Sequence, residues 1–317
     1  MTDRPVPWSS LPDNQNPVLV YLASLGSLNS RRAMRHALRW IVRFVSQGQM
    51  DDPARFPWHL LRYKHTAAIR SELIERVKFS TANNYLAALR GVLHTTADLG
   101  LMSRDDCLSA CRFKPVRGYS LPTGRDLSQG ELLALVDACK RDSTLAGARD
   151  VAIIGIMYTC GLRRSEVVRL DLADFDQESG RLLIRSGKGN KDRSVYVTGG
   201  ALLALCDWLA VRGAEPGALF VPINKGGNIT GYAYASTDLV WSALRKRGHQ
   251  AGLRPFSPHD LRRTFVGDLL DHGADITTVQ RLAGHSSPTT TGRYDRRGEK
   301  ASLAAQGLIH FPYSNTE

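Results

Sequence analysis

The stretch Ser257-Pro258-His259-Asp260-Leu261-Arg262-Arg263-Thr264 is followed by Gly284-His285 and then by Tyr294. It gathers two imidazoles, an arginine and a phenol within 36 residues. Imidazoles move protons at neutral pH, a guanidinium grips an oxyanion with a planar fork, and a phenol is a nucleophile once its proton is drawn off. Around an oxyanion, such a set suits phosphoryl chemistry. The sequence predicts how it is held. Ser257 is a good N-cap, Pro258 suits the first helical position and Asp260 sits at the third, so a helix is expected to start here. His259 and Arg262, three residues apart, share a face of its first turn. The positive end of that helix is expected to favour an anion. Gly273 can stop the helix, Asp275 can cap a second one, and Gly284 can stop that, leaving His285 just past its end. Ser287-Pro288 repeats the start signal ahead of Tyr294.

Further upstream, the apolar run Ala148 to Cys160 reads as a buried helix ended by Gly161. Gly161-Leu162-Arg163-Arg164-Ser165-Glu166 follows directly. An arginine on the rim of a buried element is held rigidly, and Glu166 is expected to orient Arg163 or a histidine. Short strands are expected at Leu170 to Asp176, Arg181 to Arg185 and Arg193 to Val197. The last two flank a Gly-rich hairpin turn with Lys188 between two glycines and Lys191 and Arg193 beside it. Ser128-x-x-Glu131 is a capping box for a helix reaching about Lys140, and helices are expected near 199–212 and 235–250.

The chain carries 42 Lys and Arg against 30 Asp and Glu, a net charge of +12, which suggests a polyanionic partner. The excess is uneven: residues 1–122 hold 17 basic and 9 acidic side chains, a net of +8. That part reads as helical, without a strand pattern. Met34, Leu38, Ile41, Val42 and Val45 form an apolar stripe, and Arg32, Arg35, Arg39 and Arg43 fall together on the other side. Those four arginines are candidates for tracking a DNA backbone, as are Lys191 and Arg193. Another helix is expected from a Ser80 cap to Gly100. Five cysteines without paired metal spacing read as reduced thiols in a cytoplasm, and no apolar run is long enough to span a bilayer.

The segments G-L-R-x-S-E, G-K-G-N-K, H-x-L-R, L-x-G-H and T-T-x-x-x-Y run in this order from Arg163 to Tyr294. In identity, order and approximate spacing they resemble the catalytic domain of the tyrosine recombinase (phage integrase) family. The resemblance implies a mainly α fold with a small antiparallel β-sheet, in which a helical N-terminal core-binding domain precedes an α+β catalytic domain. Composition rich in Pro, Asn and Asp gives a flexible arm at 1–16, and the helical part at 17–111 is similar to the family's DNA clamp. A linker at 112–125, a catalytic domain at 126–298 and a tail at 299–317 that docks on a neighbouring protomer follow. The resemblance also implies a site-specific DNA recombinase working as a tetramer on double-stranded recombination sites, with no metal and no nucleotide cofactor. By motif, Arg163 and Arg262 would hold the scissile phosphate and His285 would hydrogen-bond one of its oxygens. Lys188 would protonate the leaving 5′ oxygen, His259 would act as base or acid towards the nucleophile, and Tyr294 would attack to form a 3′-phosphotyrosyl bond.

Chemistry supports that division of labour. A phosphodiester transition state spreads charge over non-bridging oxygens and needs fixed cationic donors around it. A tyrosine of pKa about 10 needs a base or a cationic field. Alternatives remain at this stage: a non-catalytic DNA-binding relative, a topoisomerase with the same chemistry, or a metal-dependent nuclease using Asp174 and Asp176. Tyr313 is the rival nucleophile. Arg263 follows Arg262 where many relatives carry a histidine.

Overall fold

The computed structural model describes residues 12–118, 124–185, 192–284 and 306. The chain divides into two compact units, Met1–Ser120 and Leu121–Glu317.

Among its described residues the first unit is helical: α1 (Pro17–Ser24), α2 (Leu28–Val45), α3 (Tyr63–Arg76), α4 (Phe79–Asp98) and α5 (Arg104–Ala110). Its core gathers Leu38, Ile41 and Val42 of α2, Ile69 and Leu73 of α3, and Leu86, Leu89 and Leu93 of α4 around the buried Trp58. The apolar stripe on α2 therefore packs inward, as the 3.6-residue period requires. Helix α4 starts one residue before the expected Ser80 cap, with Lys78 at the N-cap and no capping side chain. Burial of Ala82, Leu86 and Leu89 outweighs a missing cap worth about 1 kcal/mol. Residues 112–118 carry no helix or strand, yet Phe113 and Val116 are buried in this unit's core.

The second unit holds α6 (Gln129–Lys140), α7 (Leu145–Thr159), α8 (Arg164–Val167), α9 (Gly199–Arg212), α10 (Asp238–Gln250), α11 (Pro258–Asp271) and α12 (Ile276–Ala283). A three-stranded antiparallel sheet runs in the order β1 (Phe175–Asp176), β2 (Arg181–Ile184), β3 (Arg193–Tyr196). Its register pairs Leu182 with Val195 and Ile184 with Arg193. Leu182, Ile184 and Val195 are buried. The Ser128–Glu131 capping box forms, with Ser128 N donating to Glu131 Oε2 at 2.9 Å and Glu131 N to Ser128 Oγ at 3.2 Å. Helix α7 is the centre of the core: Ala152, Ile153, Ile154, Ile156 and Met157 are all buried, which explains its apolar circumference.

The strand expected over Leu170 to Asp176 is mostly absent. Residues Leu172–Asp174 form a 3₁₀ turn instead, and only Phe175–Asp176 pair with β2. Two aspartates compete with the ladder for the backbone: Asp171 Oδ1 accepts from Ala173 N and Asp174 Oδ2 from Asp171 N, both at 3.0 Å.

Helix α10, which brings Trp241 to the site, is tied down by a buried ionic cluster. The fully buried Arg247 pairs with Asp142 at 2.7 Å and Asp150 at 2.8 Å, and Arg149 adds a second guanidinium to Asp150 at 2.8 Å. Removing one member would strand an uncompensated buried charge, at a cost of about 3–5 kcal/mol.

Candidate active site

Helix α11 begins as its sequence dictates. Ser257 is extended at the N-cap and Pro258 occupies the first turn. Asp260 Oδ2 accepts from Ser257 N at 2.8 Å and from Ser257 Oγ at 3.0 Å. Its Oδ1 accepts from Arg125 N at 3.1 Å. This carboxylate, 4% exposed, already places a negative charge in the first turn. That charge offsets the positive end of the helix dipole, so an anion there would rely more on nearby cationic side chains than the cap-and-dipole reading expected.

Those side chains meet. Leu162, Arg163, Trp241, Pro258, His259 and Arg262 are among the residues lining one cavity of about 430 Å³. Arg163 and Arg262, 99 residues apart, reach it from different elements. Arg163 caps α8 and is clamped by Glu166: its N donates to Glu166 Oε2 at 2.9 Å and its Nη1 to Oε1 at 2.8 Å. Arg262 is 2% exposed, and its Nη1 donates to the carbonyl of Gly161 where α7 ends. Gly161 sits at φ +61°, and a Cβ there would come within 2.3 Å of the Phe265 ring, so glycine is needed to stop α7 against α11.

The C-terminus of α12 is the other half of the site. Gly284 takes the left-handed cap at φ 61° and ψ 46°, as its position predicts, and Asp275 caps the start by accepting from Thr278 N at 2.8 Å. Three successive carbonyls at this end are each taken by a different arginine. Leu282 O accepts from Arg193 Nε at 3.1 Å, Ala283 O from Arg262 Nη2, and Gly284 O from Arg163 Nη2 at 2.8 Å. A helix leaves these carbonyls unpaired and partially negative, so guanidinium donors match them in both hydrogen bonding and charge. At eight residues α12 is too short to hold its own helix in water. It depends on Phe265, Val266, Leu270, Val279 and Ala283, which form a small core of their own, and on this arginine triad.

The electrostatics follow. Burial alone would raise the Glu166 carboxyl, but the hydrogen bonds and charge of Arg193 and the bonds from Arg163 bring it down to about 2, so it stays ionised. His259 is held below its ordinary value by burial and by the charges of Arg262, Arg263 and Arg163, with Asp260 opposing. It is therefore a neutral imidazole at neutral pH, able to accept a proton.

Of the sequence-derived candidates, Arg163, His259 and Arg262 come together here. Lys188, Lys191, His285 and Tyr294 lie outside the described residues. Arg193, expected to contact DNA, turns inward instead: its side chain is 13% exposed and all three of its nitrogens bond protein acceptors. On α2, Arg32 and Arg35 are exposed, but Arg39 and Arg43 share Asp51, the former at 2.6 Å. Asp174 and Asp176 are used locally by Arg185 and Ser179. Trp241, 41% exposed on the cavity wall, was not singled out from the sequence. The signal was available: Trp241, Arg245 and His249 recur every four residues opposite the buried Val240, Ala243, Leu244 and Arg247.

The profile of the phage integrase family matches residues 125–300, which contain this cavity and every motif named above. This chain belongs to the phage integrase family. Among similar proteins is the tyrosine recombinase XerC of Myxococcus xanthus, 34% identical over 253 residues, covering 70% of this chain and 81% of that one. The XerC of Alcanivorax borkumensis is 34% identical over 285 residues, covering 88% and 87%. In three dimensions, the integrase of transposon Tn1549, solved in complex with transposon right end DNA, matches with a TM-score of 0.66 at 16% identity. That match covers 93% of this chain and 98% of the integrase, and shows a shared fold. As a member of the phage integrase family with Xer relatives over most of its length, the chain is a tyrosine-type site-specific DNA recombinase.

Proposed function

We propose that this recombinase cuts one DNA strand by in-line attack of the Tyr294 oxygen on a phosphodiester. The O5′–phosphorus bond breaks, a 3′-phosphotyrosyl bond forms, and the reverse step joins the strand to a new 5′ hydroxyl. His259 takes the phenol proton, and Lys188 gives one to the departing 5′ oxygen. Arg163, Arg262 and His285 bind the non-bridging oxygens, where charge builds in the transition state. The bond energy is stored in the covalent intermediate, so no nucleotide is consumed, and the cationic set does the work a metal would otherwise do.

What supports this reading most is the meeting of two arginines from distant segments with a neutral histidine on one cavity. The carbonyls immediately before His285 are held by those same arginines. In this reading residues 17–111 clamp the DNA backbone, 112–125 link the units, 126–298 catalyse, and 299–317 dock on a neighbouring protomer. The working form is a tetramer on two double-stranded sites. A lambda integrase of the same fold has been solved as a tetramer bound to a Holliday junction.

The test is a nicked duplex carrying a site selected for binding from a random pool, resolved on a denaturing gel. Wild type should form a covalent adduct, with full activity in EDTA. Tyr294→Phe should bind the same duplex and form none. Adducts from Tyr294→Phe would move the nucleophile to Tyr313, and a requirement for divalent metal would defeat the scheme.

A further inference from the structure

Arg193 stands at the start of β3, five residues beyond Lys188. Its Nη1 and Nη2 fork onto the two oxygens of Glu166 at 3.0 and 2.8 Å, while Nε reaches Leu282 O at 3.1 Å. The guanidinium also packs on Gly284, where a Cβ would lie 3.1 Å from Nη1 and 3.2 Å from Cζ. A closed circuit results. Arg193 holds Glu166, Glu166 holds Arg163, Arg163 holds Gly284 O, and Arg193 holds Leu282 O two residues earlier.

We propose that Arg193 is a positioning residue for strand cleavage, fixing Glu166 and the end of α12 so that Arg163 and the segment leading to His285 are set for the phosphate. This rests on the assignment of Arg163 as a phosphate ligand. Two physical points carry it. First, Glu166 alone would neutralise Arg163; with Arg193 the trio of two guanidiniums and one carboxylate keeps a net charge of +1 for the phosphate. Second, the fork and the Nε contact together fix direction, which a lysine ammonium cannot reproduce. Arg193 is also the partner that does most to keep the buried Glu166 ionised against the effect of burial.

The experiment uses the full chain and the selected nicked duplex in Arg193→Gln, Arg193→Lys, Glu166→Gln and the Arg193→Gln/Glu166→Gln double variant. It reads the single-turnover adduct rate at saturating DNA, the affinity and its salt slope, and thermal melting. Misplacing a catalytic group by about 1 Å costs on the order of a hundredfold. Both Arg193 variants should therefore lose roughly ten- to a hundredfold in rate, with affinity and salt slope unchanged. The double variant should be no slower than the slower single one, since both changes break one circuit. Three results would overturn the proposal. One is a saturating rate equal to wild type with weaker binding and a salt slope reduced by about one, the mark of a direct phosphate contact. Another is a wild-type rate in Arg193→Lys. The third is fully additive losses in the double variant. If Arg193→Gln melts below the assay temperature, the lysine variant decides alone. Absence of adduct from wild type itself would instead sink the strand-transfer reading.

Discussion

Arginines are used in two opposite ways in this molecule. On α2, Arg32, Arg35, Arg39 and Arg43 stand on an exposed face, two of them sharing the half-buried Asp51. In the second unit, Arg163, Arg193 and Arg262 are 25%, 13% and 2% exposed and are fastened to three consecutive carbonyls and one carboxylate. An exposed arginine keeps its rotamer freedom and can follow an irregular backbone, but it stabilises any one geometry by only about 0–1 kcal/mol. A fastened arginine has lost that freedom during folding, so a transition state meets it at no further ordering cost. In the proposed mechanism the first arrangement would serve affinity and the second would serve rate.

That contrast is sharpened most by removing the fastened set. Arg163→Ala or Arg262→Ala should lower the saturating cleavage rate by about 10²–10³, the scale for one transition-state donor, while DNA affinity stays within a few-fold. Arg32→Gln and Arg35→Gln should do the reverse. Each should weaken binding and reduce the salt slope by about one per phosphate contact, with the saturating rate unchanged. A rate loss in the α2 variants, measured at saturation, would erase the distinction.

The charge around His259 gives a smaller effect. With its pKa held below 6.5, His259 stays neutral to lower pH, so cleavage should fall only as pH drops through that depressed value. Arg263→Gln removes one of the positive neighbours, so the titration should move up toward 6.5 and the acid limb to higher pH. A single-turnover pH profile checks this, and an unmoved limb would remove Arg263 from the site's electrostatics.

Much of the local framework could be read from residue types because its causes are local. Ser257, Pro258 and Asp260 start α11, Asp275 starts α12 and Gly284 ends it, each within a few residues of the group it satisfies. The five motifs also brought Arg163, His259 and Arg262 onto one list of candidates. What escaped was decided at a distance. The acceptor for Arg193 Nε lies 89 residues away on α12, and no spacing rule reaches that far. Nor does composition show that Asp51 sits within reach of Arg39. The lost strand at 170–174 is the exception: its cause is local, Asp171 and Asp174 bonding backbone two and three residues away, and the β pattern hid it. Periodicity reported the faces correctly; it did not report which polar group each face would meet.

Asp51 offers the mildest way to probe the α2 face. Its carboxyl lies below the ordinary range because the hydrogen bond from Arg43, helped by Arg39, outweighs the opposing effect of burial. It is therefore charged at neutral pH and would compete with any DNA phosphate for both guanidiniums. Asp51→Asn removes that competitor and leaves the arginines in place. Since exposed ion pairs are weak and screened by salt, DNA binding should tighten by no more than about fivefold. The salt slope should steepen if either guanidinium gains a phosphate. Fluorescence anisotropy at several salt concentrations measures both. Weaker binding would mean the opposite: Asp51 aims the two arginines rather than restraining them, and the α2 face is organised more like the active site than its exposure suggests.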